Sequence, residues 1–165
     1  SEGAVVYDVG SGTGSVAVEM AGLSGSIAVY AIEQKEEAVF LIGRNKEQFG
    51  LPNLHVVNGK APEALETLPV PTHAFIGGSS GQLREILDCL YKKNPQMRIV
   101  LNAISLETIS ELKEILTQFR VTEEEVVQVQ VNRMKPVGSY HLMQAENPVW
   151  ICSFRFWKEG EVYEA

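Results

Sequence analysis

The chain has 165 residues, 14 basic against 21 acidic side chains for a net charge of -7, and 45 % apolar residues. That is the size and composition of one globular domain, able to bury roughly 68–70 % of its unfolded surface without staples. No apolar run reaches the ~18 residues of a membrane span, no secretory leader is visible, and the acidic balance argues against a nucleic-acid surface.

These features set the expectation of a cytoplasmic protein in which Cys89 and Cys152 are reduced core thiols. Ser1 is not an initiator Met, and an apolar run begins within three residues of it. The expectation is therefore one domain over 1–165 that is a fragment lacking upstream sequence.

In chain order, residues 4–7 read as a buried strand ending at Asp8, followed by a helix over 13–23 closed by Ser24 and Gly25. A second strand over 27–32 leads to a charged-faced helix over 34–49, stopped by Gly50 and Pro52. Residues 54–57 form a third strand, 62–68 a short helix and 72–76 a fourth strand. The helix over 80–91 gathers Leu83, Ile86, Leu87 and Leu90 on one face, and a fifth strand follows over 97–101. The helix over 105–119 places Leu106, Ile109, Leu112, Leu116 and Phe119 at helical spacing.

The last third alternates Val and Gln over 126–131, with Val127, Val129 and Val131 expected in the sheet core, and is rich in β-branched and aromatic residues over 149–157. The stretch over 135–148 between them is read as a loop too short for a helical crossover, so the two strands should be antiparallel. The expected fold is α/β and Rossmann-like: a seven-stranded, mostly parallel sheet with one antiparallel strand and helices on both faces.

The sharpest local signal is Asp8-Val9-Gly10-Ser11-Gly12-Thr13-Gly14, between a strand and a helix. Glycines there let the backbone turn tightly and let a ligand approach the main chain, and helix-start N–H groups favour an anionic group. Glu33 ends the second strand, 23 residues beyond Gly10, near the ~20-residue offset at which an acid reaches a ribose. Ser15 stands where a dinucleotide loop wants Gly or Ala, and there is no triphosphate-binding G-x-x-x-x-G-K-[ST]. No His/Cys cluster with metal spacing is visible, so no metal site is expected. His55 and His73, within strand patterns, are read as structural.

The D-x-G-x-G-x-G loop resembles motif I of the class I S-adenosylmethionine-dependent methyltransferases, and the reversed final strand fits them too. The resemblance implies S-adenosylmethionine as cofactor, with Gly10, Ser11, Gly12, Thr13 and Gly14 around its methionine end and Glu33 on its ribose. Base N-methyltransferases of this class carry [DN]-P-P-[YF] after the fourth strand, where this chain has Gly77-Gly78-Ser79-Ser80-Gly81.

Several segments together resemble the precorrin-6Y C15-methyltransferase (decarboxylating) family: 8–16, Asn58-Gly59-Lys60-Ala61-Pro62-Glu63-Ala64-Leu65, Phe75-Ile76-Gly77-Gly78-Ser79, Asn102-Ala103-Ile104 with Leu106-Glu107-Thr108, and Asn147-Pro148-Val149. The family methylates two macrocycle carbons of a tetrapyrrole in corrin-ring biosynthesis and removes carbon dioxide from an acetate side chain. It occurs alone or as the C-terminal half of a bifunctional protein, which suits a chain lacking its start, and members assemble as tetramers, so a homo-oligomer is implied. Where the family has an acid before Ala-Pro-Glu this chain has Lys60, which leaves the backbone around Ala61 to meet the adenine amino group. His73 replaces an early Asp in the fourth strand, and an upstream lid segment of the family is absent.

A precorrin carries many carboxylates, so basic groups should collect near the cleft of this acidic chain. Arg133, Lys135 and His141 are the candidates, with Tyr140 to stack on the macrocycle and Gly77, Gly78 and Ser79 as the wall where macrocycle and cofactor meet. No catalytic base is named. A small-molecule or RNA methyltransferase on the same scaffold, and a non-enzymatic module keeping the fold, are the alternatives.

Overall fold

The computed structural model describes residues 3–157. Its strands and helices alternate as β1 (Val5–Val9), α1 (Ser15–Gly22), β2 (Ala28–Glu33), α2 (Glu36–Phe49), β3 (Leu54–Asn58), a 3-10 turn (Glu63–Leu65) and β4 (His73–Ile76). There follow α3 (Leu83–Lys93), β5 (Arg98–Ala103), α4 (Leu106–Phe119), β6 (Val121–Val129), β7 (Asn132–Val137), β8 (Tyr140–Ala145) and β9 (Val149–Phe156). Seven strands form one sheet in the order β3-β2-β1-β4-β5-β9-β6. Strands β1 to β5 pair in parallel, and β9 runs antiparallel to both its neighbours, as the sequence led us to expect.

The near-continuous apolar runs of β1 and β2 follow from burial on both faces. On one face Val6, Val29 and Ala31 pack with Ala17 and Ala21 of α1 and Ile42 of α2. On the other, Tyr7, Val9 and Ile32 pack with Leu83, Ile86, Leu87 and Leu90 of α3 and Leu112 and Ile115 of α4. The chain winds outward from β1 to β3, then crosses back to place β4 on the other side of β1. That reversal opens a crevice at the carboxyl ends of β1 and β4, where such sheets bind ligands.

Four expectations need correction. Helices α1 and α3 begin later than expected, because Gly14, Ser80 and Gly81 adopt positive φ and keep the chain in loop conformation. Leu106 is 80 % exposed rather than core, lying in the first turn of α4, whereas Ile115 is buried. Val127 and Val129 are exposed, because β6 is the sheet's edge strand, bonded to β9 alone, and Val131, exposed as well, lies beyond the end of β6. The stretch read as a loop over 135–148 is instead largely the hairpin β7–β8, in which Val137 pairs with Tyr140 across Gly138 and Ser139.

Candidate active site

The bend after β1 is held from below by the end of β2. The N–H groups of Gly10 and Ser11 both donate to the Ile32 carbonyl, at 3.0 and 3.1 Å. Gly12 N–H donates to Glu33 Oε2 at 2.9 Å, and Gly14 N–H to the Ser11 carbonyl at 2.9 Å. Most of the bend's amides are therefore spent inside the protein: of residues 10–14, only the Thr13 N–H has no acceptor among the described residues. What the glycines supply is shape. A Cβ on Gly10 (φ +70°) would run into the backbone of Gly78, so the β1 and β4 loops touch only because Gly10 has none. A Cβ on Gly12 (φ +57°) would meet nothing within 4 Å, so that position faces open space.

Glu33 is buried, and its Oε1 accepts the N–H groups of Gln34 and Lys35 at 2.9 and 3.0 Å. Burial alone would raise its pKa, but the backbone donors Lys35, Gly12 and Gln34, with the Lys35 charge, outweigh it and hold the carboxyl below its ordinary value. Asp8 shows the opposite balance. Ser11 Oγ donates to its Oδ2 at 2.6 Å, while Oδ1 is buried without a partner among the described residues. Burial pushes this carboxyl up to about 6; the Ser11 hydrogen bond and the nearby Ala17 backbone N–H oppose the rise, and the charge of Glu33 adds to it.

A group with a raised folded pKa contributes stability below its unfolded value and loses it as pH rises through the folded one. Asp8→Asn is therefore expected to melt at a higher temperature than the parent at about pH 8, by a few degrees, with the gap narrowing as pH falls below about 6 and closing near pH 4. Differential scanning calorimetry across that range checks it, and a gap that does not change with pH refutes it.

The crevice has a volume of about 320 Å³. Of the residues expected at the cofactor, Gly10, Gly12, Thr13, Glu33 and Ala61 line it, whereas Ser11 turns to Asp8 and Gly14 packs toward Ile42. Gly78 and Ser79 line it as well, while Gly77 lies in the adjoining cavity. Arg133, Lys135, Tyr140 and His141 stand exposed on the hairpin and line neither space, and Arg133 pairs with Glu146 at 3.3 Å. His55 stacks on Tyr30 at 4.7 Å between ring centroids and His73 bonds Thr72, both away from the crevice.

Gln34, Lys35, Gly59, Lys60 and Ser80 complete the lining without having been singled out for it. Gln34 Nε2 donates to Ser80 Oγ at 3.0 Å, tying the β2 lip to the β4 lip. The Ala61 backbone makes no hydrogen bond within the described residues and stays available to a ligand, while the Lys60 carbonyl is taken by the Ala64 N–H.

A parallel sheet with reversed strand order at β1/β4, a glycine bend after β1, an acid ending β2 and an antiparallel strand inserted before the edge define the class I methyltransferase fold. Similarity to known proteins narrows the class. A family profile described as "Precorrin methyltransferase domain" matches residues 1–155. A Pyrobaculum calidifontis protein named probable cobalt-precorrin-6B C(15)-methyltransferase (decarboxylating) is 40 % identical over 153 residues, covering 92 % of this chain and 78 % of that protein. The crystal structure of precorrin-6Y C5,15-methyltransferase from Geobacter metallireducens superposes with a TM-score of 0.84 at 33 % identity, covering 93 % of this chain and 82 % of that one. A Thermotoga maritima SAM-dependent O-methyltransferase, 18 % identical with a TM-score of 0.75, over 97 % of this chain and 62 % of that one, shares the fold. The chain belongs to the precorrin methyltransferase domain family. No helix among the described residues is long and apolar enough to cross a membrane.

Proposed function

We propose that this chain moves a methyl group from S-adenosylmethionine to a ring carbon of a precorrin, at the C15 position for which its relatives are named, and removes carbon dioxide from an acetate side chain of the same molecule. The observation that carries the reading is the crevice itself, whose open face at Gly12 lies beside a buried acid at the end of β2. The residues fit the cofactor: Gly10, Gly12 and Thr13 border its amino-acid end, Glu33 accepts from its ribose, and the Ala61 backbone meets its adenine. The cofactor supplies an electrophilic sulfonium methyl. The protein's part is alignment, and a reduced tetrapyrrole carbon is nucleophilic enough to need no strong base.

Gly77, Gly78 and Ser79 form the wall between the two ligands. Lys135 on the hairpin acts as an electrostatic attractant for the substrate's carboxylates, with Tyr140 and His141 beside it, while Arg133 is partly neutralised by Glu146. The same hairpin exposes Met134, Val137, Tyr140, Leu142 and Met143 next to the open β6 edge, which supports a homo-oligomer built on this end. Free Cys89 and Cys152, the latter pushed up to about 12 by burial and the charge of Glu124, suit a reducing cytoplasm.

The test incubates the purified chain with S-adenosylmethionine and either metal-free precorrin-6 or its cobalt complex. Methyl incorporation accompanied by carbon dioxide release is expected from one of them, together with a higher melting temperature in S-adenosylhomocysteine. Methylation without carbon dioxide would remove the decarboxylation, and no methylation of either substrate would remove the precorrin reading.

A further inference from the structure

A second cavity, of about 280 Å³, opens beside the cofactor crevice and shares Gly78 and Ser79 with it. Its polar lining includes Ser79, Asn102 and Thr108, and its apolar lining includes the fully buried Leu83 and Leu101. Among the described residues no Lys, Arg, Asp or Glu lines it. Asn102, at the C-terminal end of β5, is half-buried, and neither its carboxamide nor the Ser79 hydroxyl is engaged by the described residues. This is a neutral hydrogen-bonding site set in an apolar wall, adjoining the cofactor crevice at Gly78 and Ser79.

Resting on the precorrin reading above, the geometry points to this cavity as the seat of the acetate arm that loses carbon dioxide, with Asn102 orienting its carboxylate. In that step the bond between the arm's methylene carbon and the carboxylate carbon breaks. Its electron pair passes into the conjugated ring, carbon dioxide leaves, and the methylene carbon takes a proton from water.

Charge starts localised on two oxygens and ends dispersed over a macrocycle. A Lys or Arg on the carboxylate would stabilise the starting state more than the transition state and slow the reaction. An amide and hydroxyls hold the arm in place with weaker, uncharged hydrogen bonds, and the Leu83 and Leu101 walls deny the carboxylate the hydration it would have in bulk water. The absence of charge around an anionic group is, on this account, what the cavity contributes.

The test reads the ratio of methylated product that keeps the carboxylate to methylated product that has lost it, by mass spectrometry under single-turnover conditions. Asn102→Leu, which removes the amide's hydrogen bonds at similar size, is expected to raise the ratio about tenfold, and Asn102→Ser, which keeps a donor, to raise it less. Thr108→Val serves as a second, near-isosteric probe expected to move the ratio the same way, and melting with S-adenosylhomocysteine verifies that each variant is folded. Folded variants that keep the parental ratio while the parent methylates and decarboxylates overturn this assignment alone. A parent that does not methylate a precorrin overturns the precorrin reading, and this assignment with it.

Discussion

Gly10→Ala is expected to lower the melting temperature on the order of 10 °C and to abolish the stabilisation by S-adenosylhomocysteine. Two costs add at this position. An L-residue at φ +70° sits in the left-handed region, at about 1–2 kcal/mol. The new methyl would also run into the nitrogen, carbon and oxygen of Gly78, and backbone cannot swing aside as the end of a side chain can, so overpacking adds about 1–3 kcal/mol.

Gly12→Ala is the control. Its φ of +57° carries a similar left-handed cost, but its Cβ meets no protein atom within 4 Å. It should therefore melt closer to the parent while still losing affinity, because its methyl projects into space reserved for the cofactor. Gly12→Val is a harsher version, since a β-branched residue is more strained at positive φ than Ala. Thermal melts and calorimetric titration of both alanine variants decide the matter. A Gly12→Ala protein that binds S-adenosylhomocysteine as the parent does would show that the ligand lies elsewhere.

The parts of this architecture that were legible in the sequence are those where burial is two-sided. Leu83, Ile86, Leu87 and Leu90 recur at helical spacing because one face of α3 is sealed, and all four are buried. The runs in β1 and β2 read as central strands because helices cover both faces. Where burial stops, periodicity misleads. The Val and Gln alternation near the end of β6 looks like a half-buried strand, yet its valines are exposed on an edge.

The hairpin was missed because all of its residues are exposed and Pro136 argues against a strand interior, although an edge ribbon tolerates it. Gly138-Ser139, a two-residue connection, was the available signal. In the crevice, Glu33 and the glycines were readable from their offset. The Gln34–Ser80 bridge was not, since it joins residues 46 apart that only the β1/β4 crossover brings together. Nor could the sequence reveal that Glu33 would hold the glycine bend itself, by taking the Gly12 N–H that was expected to face a ligand.

That double duty makes Glu33→Ala the other substitution with a large expected effect. The carboxylate accepts three N–H donors, from Gly12 on Oε2 and from Gln34 and Lys35 on Oε1. A carboxylate offers about four acceptor positions, so room remains on Oε2 for a ribose hydroxyl. Removing it leaves three backbone donors without their acceptor and unlatches the bend, at about 2–4 kcal/mol of stability, since one unmet buried donor costs about 1–3 kcal/mol and water reaches part of this site. Affinity for S-adenosylhomocysteine should fall about 100-fold, the equivalent of one charge-assisted contact plus the cost of re-forming the bend.

Glu33→Gln separates the two roles, because its amide oxygen can still accept from Gly12 but its NH2 cannot accept from Gln34 and Lys35. It should fall between the parent and the Ala variant in both measurements. The pH dependence follows from the sign of the shift. Because the folded carboxyl is held below its ordinary value, its contribution is present above the unfolded pKa and disappears as pH falls through the folded one. The gap in melting temperature between the parent and Glu33→Gln should therefore be full near neutrality and shrink as pH drops from about 5 toward 3. A gap that is constant in acid, or an Ala variant whose affinity matches the parent's, would mean that this carboxylate neither clamps the bend nor meets the ribose.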